Sequence, residues 1–129
     1  MNALERNLLV VKGLKPESLW RYFAELSTLP RQSGQEGEAV KLVTSAARNL
    51  GLDVASDTSG NTVVRVPATV GFEQVPRRCL QSHLDMVCVK RLDSSHNFAT
   101  DPIEFILEDG RLRAGGTTLG ADNGLGVGR

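Results

Sequence analysis

The sequence predicts an α/β fold, a mixed β-sheet flanked by helices. Apolar residues recur at helical spacing in two segments before residue 51. Two pairs of short β-prone runs are each joined by turn residues. An apolar pair, Cys79-Leu80, then leads into Gln81-Ser82-His83-Leu84-Asp85-Met86-Val87, where a histidine and an aspartate stand two residues apart.

Residues 1–14 lack a clean period and read as an extra turn or a loose arm. Pro16 opens the first helix, as proline does at a first helical position. Leu19, Trp20, Phe23 and Leu26 form its apolar face, and Leu29-Pro30 ends it, because the residue before proline avoids the α region. Arg31 to Gly34 read as a polar loop. A second helix runs from about Gln35 to Leu50, with Ala39, Val40, Leu42, Val43, Ala46, Ala47 and Leu50 on one face and Gly51 as its C-terminal cap. Leu52–Ala55 and Thr62–Val66 read as a hairpin around Ser59-Gly60-Asn61. After a loop, Arg77–Leu84 is expected as a central strand with Cys79 inside it and His83 at its C-terminal end. A polar connection, Lys90 to Asp101, leads to a second hairpin, Ile103–Leu107 and Arg111–Ala114, turning at Glu108-Asp109-Gly110. A glycine-rich loop follows, and a helix begins at Asn123 and reaches Arg129 within a turn or two. The chain therefore reads as the front part of a longer protein.

At 129 residues the chain has the size of one ordinary domain. Fifteen basic residues balance fifteen acidic ones, which gives no support for nucleic acid or an anionic membrane as partner. No apolar run approaches the roughly 18 residues of a membrane span, and Leu8-Leu9-Val10-Val11 is too short for a signal-peptide core. The cytoplasm is the expected location. Cys79 and Cys88 fit neither a redox nor a zinc-ribbon spacing and read as two reduced thiols.

On an extended strand, residues two apart share a face, so His83 and Asp85 would lie side by side. A neutral imidazole can bind a transition metal while a neighbouring carboxylate orients the ring, and the same pair can equally be a structural hydrogen bond. Asp122, among Gly115, Gly116, Gly120 and Gly124, can cap a helix or bridge two metal ions. Gly124-Leu125-Gly126-Val127-Gly128 has the wrong spacing for a dinucleotide fingerprint. His96 reads as a loop-packing residue, and Asp101-Pro102 as a turn opener.

Three stretches taken together resemble the aminoacyl-histidine dipeptidases: Gln81 to Val87, Asp101-Pro102-Ile103, and Gly116-Thr117-Thr118-Leu119-Gly120-Ala121-Asp122-Asn123-Gly124. These enzymes, also called Xaa-His or cytosolic non-specific dipeptidases, belong to the M20 co-catalytic zinc peptidases. The resemblance covers Leu14 to Arg129, and the combination is specific where each piece alone is not. It implies that residues 1–129 are the N-terminal part of a zinc-peptidase-like catalytic domain, with the lid domain and the C-terminal part of that domain absent. His83 would ligate one zinc, Asp122 would bridge two, and Asp85 would be the catalytic acid that orients His83; cobalt or manganese could replace zinc. The resemblance also implies a cis peptide between Asp122 and Asn123. The family's general base and remaining ligands, a Glu-Glu pair, a further acid and a late histidine, have no counterpart here; the glutamates after His83 are Glu104 and Glu108, both in the second hairpin. The intact protein would hydrolyse dipeptides, including those ending in histidine, as a homodimer joined through the lid, while the 129-residue chain alone would be inactive. The alternative is a non-catalytic truncated product acting, if at all, as an interaction module, and a third reading is a metal-free binding module. Bound zinc together with peptide hydrolysis separates the first reading from the others.

Overall fold

The computed structural model describes all 129 residues. Four helices, α1 (Ala3–Val10), α2 (Glu17–Leu26), α3 (Gly37–Asn49) and α4 (Ala121–Val127), combine with four strands, β1 (Asp53–Ser56), β2 (Thr62–Arg65), β3 (Phe105–Glu108) and β4 (Arg111–Ala114). The mixture of helices and strands is the predicted one. The strands form two separate antiparallel hairpins, β1–β2 and β3–β4.

The residues at each turn account for the hairpins. In the first, Asp57 Oδ1 accepts from the backbone N–H of Ser59 and of Asn61, both at 2.9 Å, and Gly60 takes a positive φ of 86°. In the second, Asp109 and Gly110 have φ of 51° and 72°, the left-handed pair that a two-residue hairpin turn requires.

Residues 1–14 are not a loose arm. They contain α1, opened by a capping box in which Asn2 Oδ1 accepts from Glu5 N and Glu5 Oε2 accepts from Asn2 N. Leu4, Leu8 and Val11, at helical spacing, pack α1 into the core with Phe23, Ala24 and Phe105. The Phe23 and Phe105 rings stack with centroids 5.0 Å apart. Asn7 is buried and works as a bracket: its Nδ2 donates to Ile103 O and its Oδ1 accepts from Phe105 N, both at 2.9 Å. It thereby supplies the hydrogen bonds that an adjacent strand would give β3. Asn7→Ala would strand both backbone groups, at about 1–3 kcal/mol each. The expected result is a two-state denaturation midpoint lowered to match, with an unchanged m-value.

The central strand expected over Arg77–Leu84 does not form. The strands pair only within each hairpin, and no backbone hydrogen bond joins residues 77–84 to an open edge of either, so this segment has no ladder to extend. Residues 66–83 are exposed, Cys79 and Leu80 among them. Their backbone bonds are two local turns, Phe72 N to Thr69 O and Val75 N to Phe72 O, and pairing with distant segments starts only beyond them. Met86 N donates to Arg31 O at 3.0 Å, and Arg91 N and Thr118 N donate to Gly116 O and Val89 O, each at 2.9 Å. These bonds bring three loops together: residues 31–33, 83–91 and 116–122. No helix is long and apolar enough to cross a membrane.

Candidate functional site

His83 lies on the second of these loops, not at a strand end. Its relation to Asp85 is nonetheless the expected one. Nδ1 donates to Asp85 Oδ1 at 2.9 Å and approaches the Asp85 carbonyl oxygen at 3.1 Å. The opposite ring nitrogen, Nε2, lies 3.1 Å from Asp122 Oδ1. Asp85 is itself held from behind, because Ser33 Oγ donates to its Oδ2. The chain of contacts therefore runs Ser33, Asp85, His83, Asp122.

The electrostatics follow this order. Partial desolvation pulls the His83 pKa down, but hydrogen bonds from its ring to Asp122 and Asp85 outweigh it, and the pKa lies above the ordinary imidazole value. The hydrogen bond from Ser33 is the main reason the Asp85 carboxyl titrates below its ordinary range; desolvation opposes it and His83 adds to it. Asp85 thus stays ionised and holds one proton of His83 on Nδ1, so that in the neutral ring Nε2 carries the lone pair, turned toward Asp122, that can meet a cation.

Asp122 reaches the site through an unusual backbone. Gly120, with φ of 73°, precedes α4, and Asp122 and Asn123 depart from helical angles inside it. The Asp122–Asn123 peptide is cis, as the family resemblance implied. The Asp122 side chain does not cap the helix. It is almost fully exposed, and its carboxylate hydrogen-bonds to His83.

All three residues singled out in the sequence, His83, Asp85 and Asp122, come together here. No group of three or more histidine, cysteine, aspartate or glutamate side chains converges as a complete metal cage. Glu104 pairs with Arg6 and Glu108 with Arg113, so both glutamates of the second hairpin are engaged away from His83. Cys88 is a half-buried free thiol whose pKa is pushed up by burial. His96 packs edge-on against Phe98, a loop-packing role as expected.

Two residues escaped the sequence reading. Ser33 sits in a segment that looked like plain polar loop. Arg31, in the same segment, is almost wholly buried: Nη1 donates to Leu84 O at 3.2 Å and to Asp85 O at 3.4 Å, and Nη2 to Gly120 O at 2.8 Å. Burial draws its guanidinium pKa downward, against the opposing charges of Cys88 and Asp85. A lone arginine after a helix-ending proline carries no periodic signal, and its partners lie 53 to 89 residues away.

No family model matches the chain. It is 40% identical over 114 residues to the cytosol non-specific dipeptidase of Escherichia coli strain K12, an alignment spanning 88% of this chain and 24% of that protein. It superposes on the aminoacylhistidine dipeptidase of Vibrio alginolyticus with a TM-score of 0.87 at 37% identity, over 92% of this chain and 24% of that one. The likeness seen in the motifs thus holds in sequence and in fold, and both relatives are dipeptidases. The chain spans about a quarter of the length of either relative.

Proposed function

We propose that this chain carries one side of a divalent-metal centre that hydrolyses dipeptides, of the kind found in the M20 zinc peptidases. The observation that carries the reading is the orientation of His83: Nδ1 is held by Asp85, and Nε2 faces the Asp122 carboxylate at 3.1 Å. The donor set fits zinc. Zn–N and Zn–O bonds of about 2.0–2.2 Å at tetrahedral angles set a nitrogen and an oxygen roughly 3.3–3.5 Å apart, close to the separation between Nε2 and Oδ1. His83 and Asp122 would hold the metal, with cobalt or manganese as substitutes. A bound divalent ion supplies Lewis acidity toward the scissile carbonyl and lowers the pKa of a water to about 7.

The chain's own residues then have distinct tasks. Asp85, fixed by Ser33, locks the tautomer of His83 and increases the basicity of its free nitrogen. Asp122, whose side chain is otherwise exposed, would be the carboxylate that holds the metal together with His83. Two donors fall short of the three that a catalytic zinc ordinarily takes from protein, and the carboxylate beside them, Asp85, already accepts from His83 Nδ1 and Ser33 Oγ. The 129-residue chain is therefore expected to bind zinc weakly and to show no dipeptidase turnover. An assay with excess zinc against several dipeptides, run beside the Escherichia coli dipeptidase, checks this. Turnover comparable to that enzyme's would overturn the assignment of incomplete catalytic machinery.

A further inference from the structure

We infer that Arg31 is a positioning residue: its guanidinium ties the loop carrying His83 and Asp85 to the loop that leads into Asp122 at the start of α4, and so sets the distance that a metal ion spans. The inference rests on the proposed metal centre and adds to it a residue that touches neither metal nor substrate.

The argument begins with what fixes Asp122. Its exposed carboxylate bonds to His83, so side-chain contacts elsewhere do not place it. Its position relative to His83 is set by the backbone on either side. The tie nearest both residues is Arg31, which grips Leu84 O and Asp85 O with Nη1 and Gly120 O with Nη2. The grip points thus include the residue after His83 and the residue two before Asp122. The backbone of Arg31 joins the same assembly, since its carbonyl accepts from Met86 N.

Only a guanidinium suits this place. Two terminal nitrogens on a rigid plane can serve two loops at once, whereas a lysine ammonium is a single point. Neighbouring residues leave room for the plane. A Cβ built at Gly120 would overlap Arg31 Nη2 and stand 2.9 Å from Met86 Sδ, and one built at Gly124 would stand 3.1 Å from Nη2. A second tie, Thr118 Oγ1 donating to Val87 O at 2.6 Å, lies four residues from both His83 and Asp122. It holds the two loops together in a variant without constraining the ligand pair as closely.

The test is an amide NMR titration of this chain with Mn²⁺ alone, which broadens signals near its binding site. In the wild type, amides around His83 and around Asp122 should broaden together. In Arg31→Met, of similar length but without donors, half-broadening should require about tenfold more Mn²⁺ or beyond, and the two loops should broaden at different concentrations. Arg31→Lys should restore thermal stability in part but not the joint broadening, a separation that a merely structural role would not produce. Wild-type affinity and joint broadening in folded Arg31→Met would overturn the inference. Should Arg31→Met not fold, Gly120→Ala displaces the guanidinium with Arg31 in place, and joint broadening there at the wild-type concentration would overturn it equally. If wild type and His83→Ala broaden alike, the metal reading fails, and the clamp is then judged without metal. Hydrogen exchange at Gly124 N–H, bonded to Gly120 O, should be at least tenfold faster in the Arg31 variant, and unchanged exchange refutes the clamp.

Discussion

Replacing His83 with alanine is expected to remove saturable zinc binding by this chain, leaving only the weak, non-specific uptake of surface carboxylates. His83 contributes the nitrogen that faces Asp122, and its removal leaves Asp122 as a lone exposed carboxylate with no hydrogen-bonding partner. Asp85→Asn should have a graded effect, about 10–100-fold weaker binding, because the imidazole would lose the ionised acceptor that holds its proton on Nδ1. Ser33→Ala should act in the same direction through Asp85, and more mildly. Isothermal titration with Zn²⁺ ranks the three variants. If His83→Ala bound zinc as the wild type does, the proposed centre would be wrong. If Asp85→Asn matched His83→Ala, Asp85 would be a ligand and not the residue that orients one.

Phe23→Ala should carry the largest stability loss, about 3–5 kcal/mol, the usual range for emptying a buried phenylalanine site. Phe23 is fully buried at the centre of the cluster that joins α1, α2, β3 and α4, and it stacks on Phe105. Its ring edge also fills the space in front of Gly124, where an ideal Cβ would stand 2.8 Å away. Only 15 of the 129 residues are buried, so little other packing can compensate. Against a typical domain stability of about 5–15 kcal/mol, the variant should be marginal near body temperature. Urea unfolding followed by Trp20 fluorescence measures the change. A loss below about 1 kcal/mol would mean that the α2–α4 contact is looser than the packing implies. Because α4 carries Asp122, the same substitution should also weaken metal uptake.

The helices and hairpins were legible because their signals are local. The period of Leu19, Trp20, Phe23 and Leu26, and the turn residues at Ser59-Gly60-Asn61 and Asp109-Gly110, each determine their own surroundings. The α1 helix was legible in principle, through Asn2 and Glu5, but asparagine in place of serine or threonine makes a weaker capping-box signature. The segment 77–84 was misread because β-propensity describes fitness for a ladder and not the presence of a neighbour. For the site, His83, Asp85 and Asp122 stood out by residue type and by family likeness. Arg31 and Ser33 did not, since their roles arise from contacts that only the folded chain creates.

The Asn7 bracket has a consequence for the timing of assembly. It joins residues 96 and 98 positions apart in the chain. Closing a loop of that length costs about 4 kcal/mol in chain entropy, beyond the constant term, before any contact is gained. During synthesis at about 5–20 residues per second, α1 leaves the ribosome roughly 5–20 s before β3 follows. Throughout that interval Leu4, Leu8 and Val11 have no β3 to pack against, and Asn7 has no backbone to hold. The first helix to be made can meet α2 early, but its β3 side is among the last surfaces to be covered, and in the meantime that side is open to chaperones and to neighbouring nascent chains.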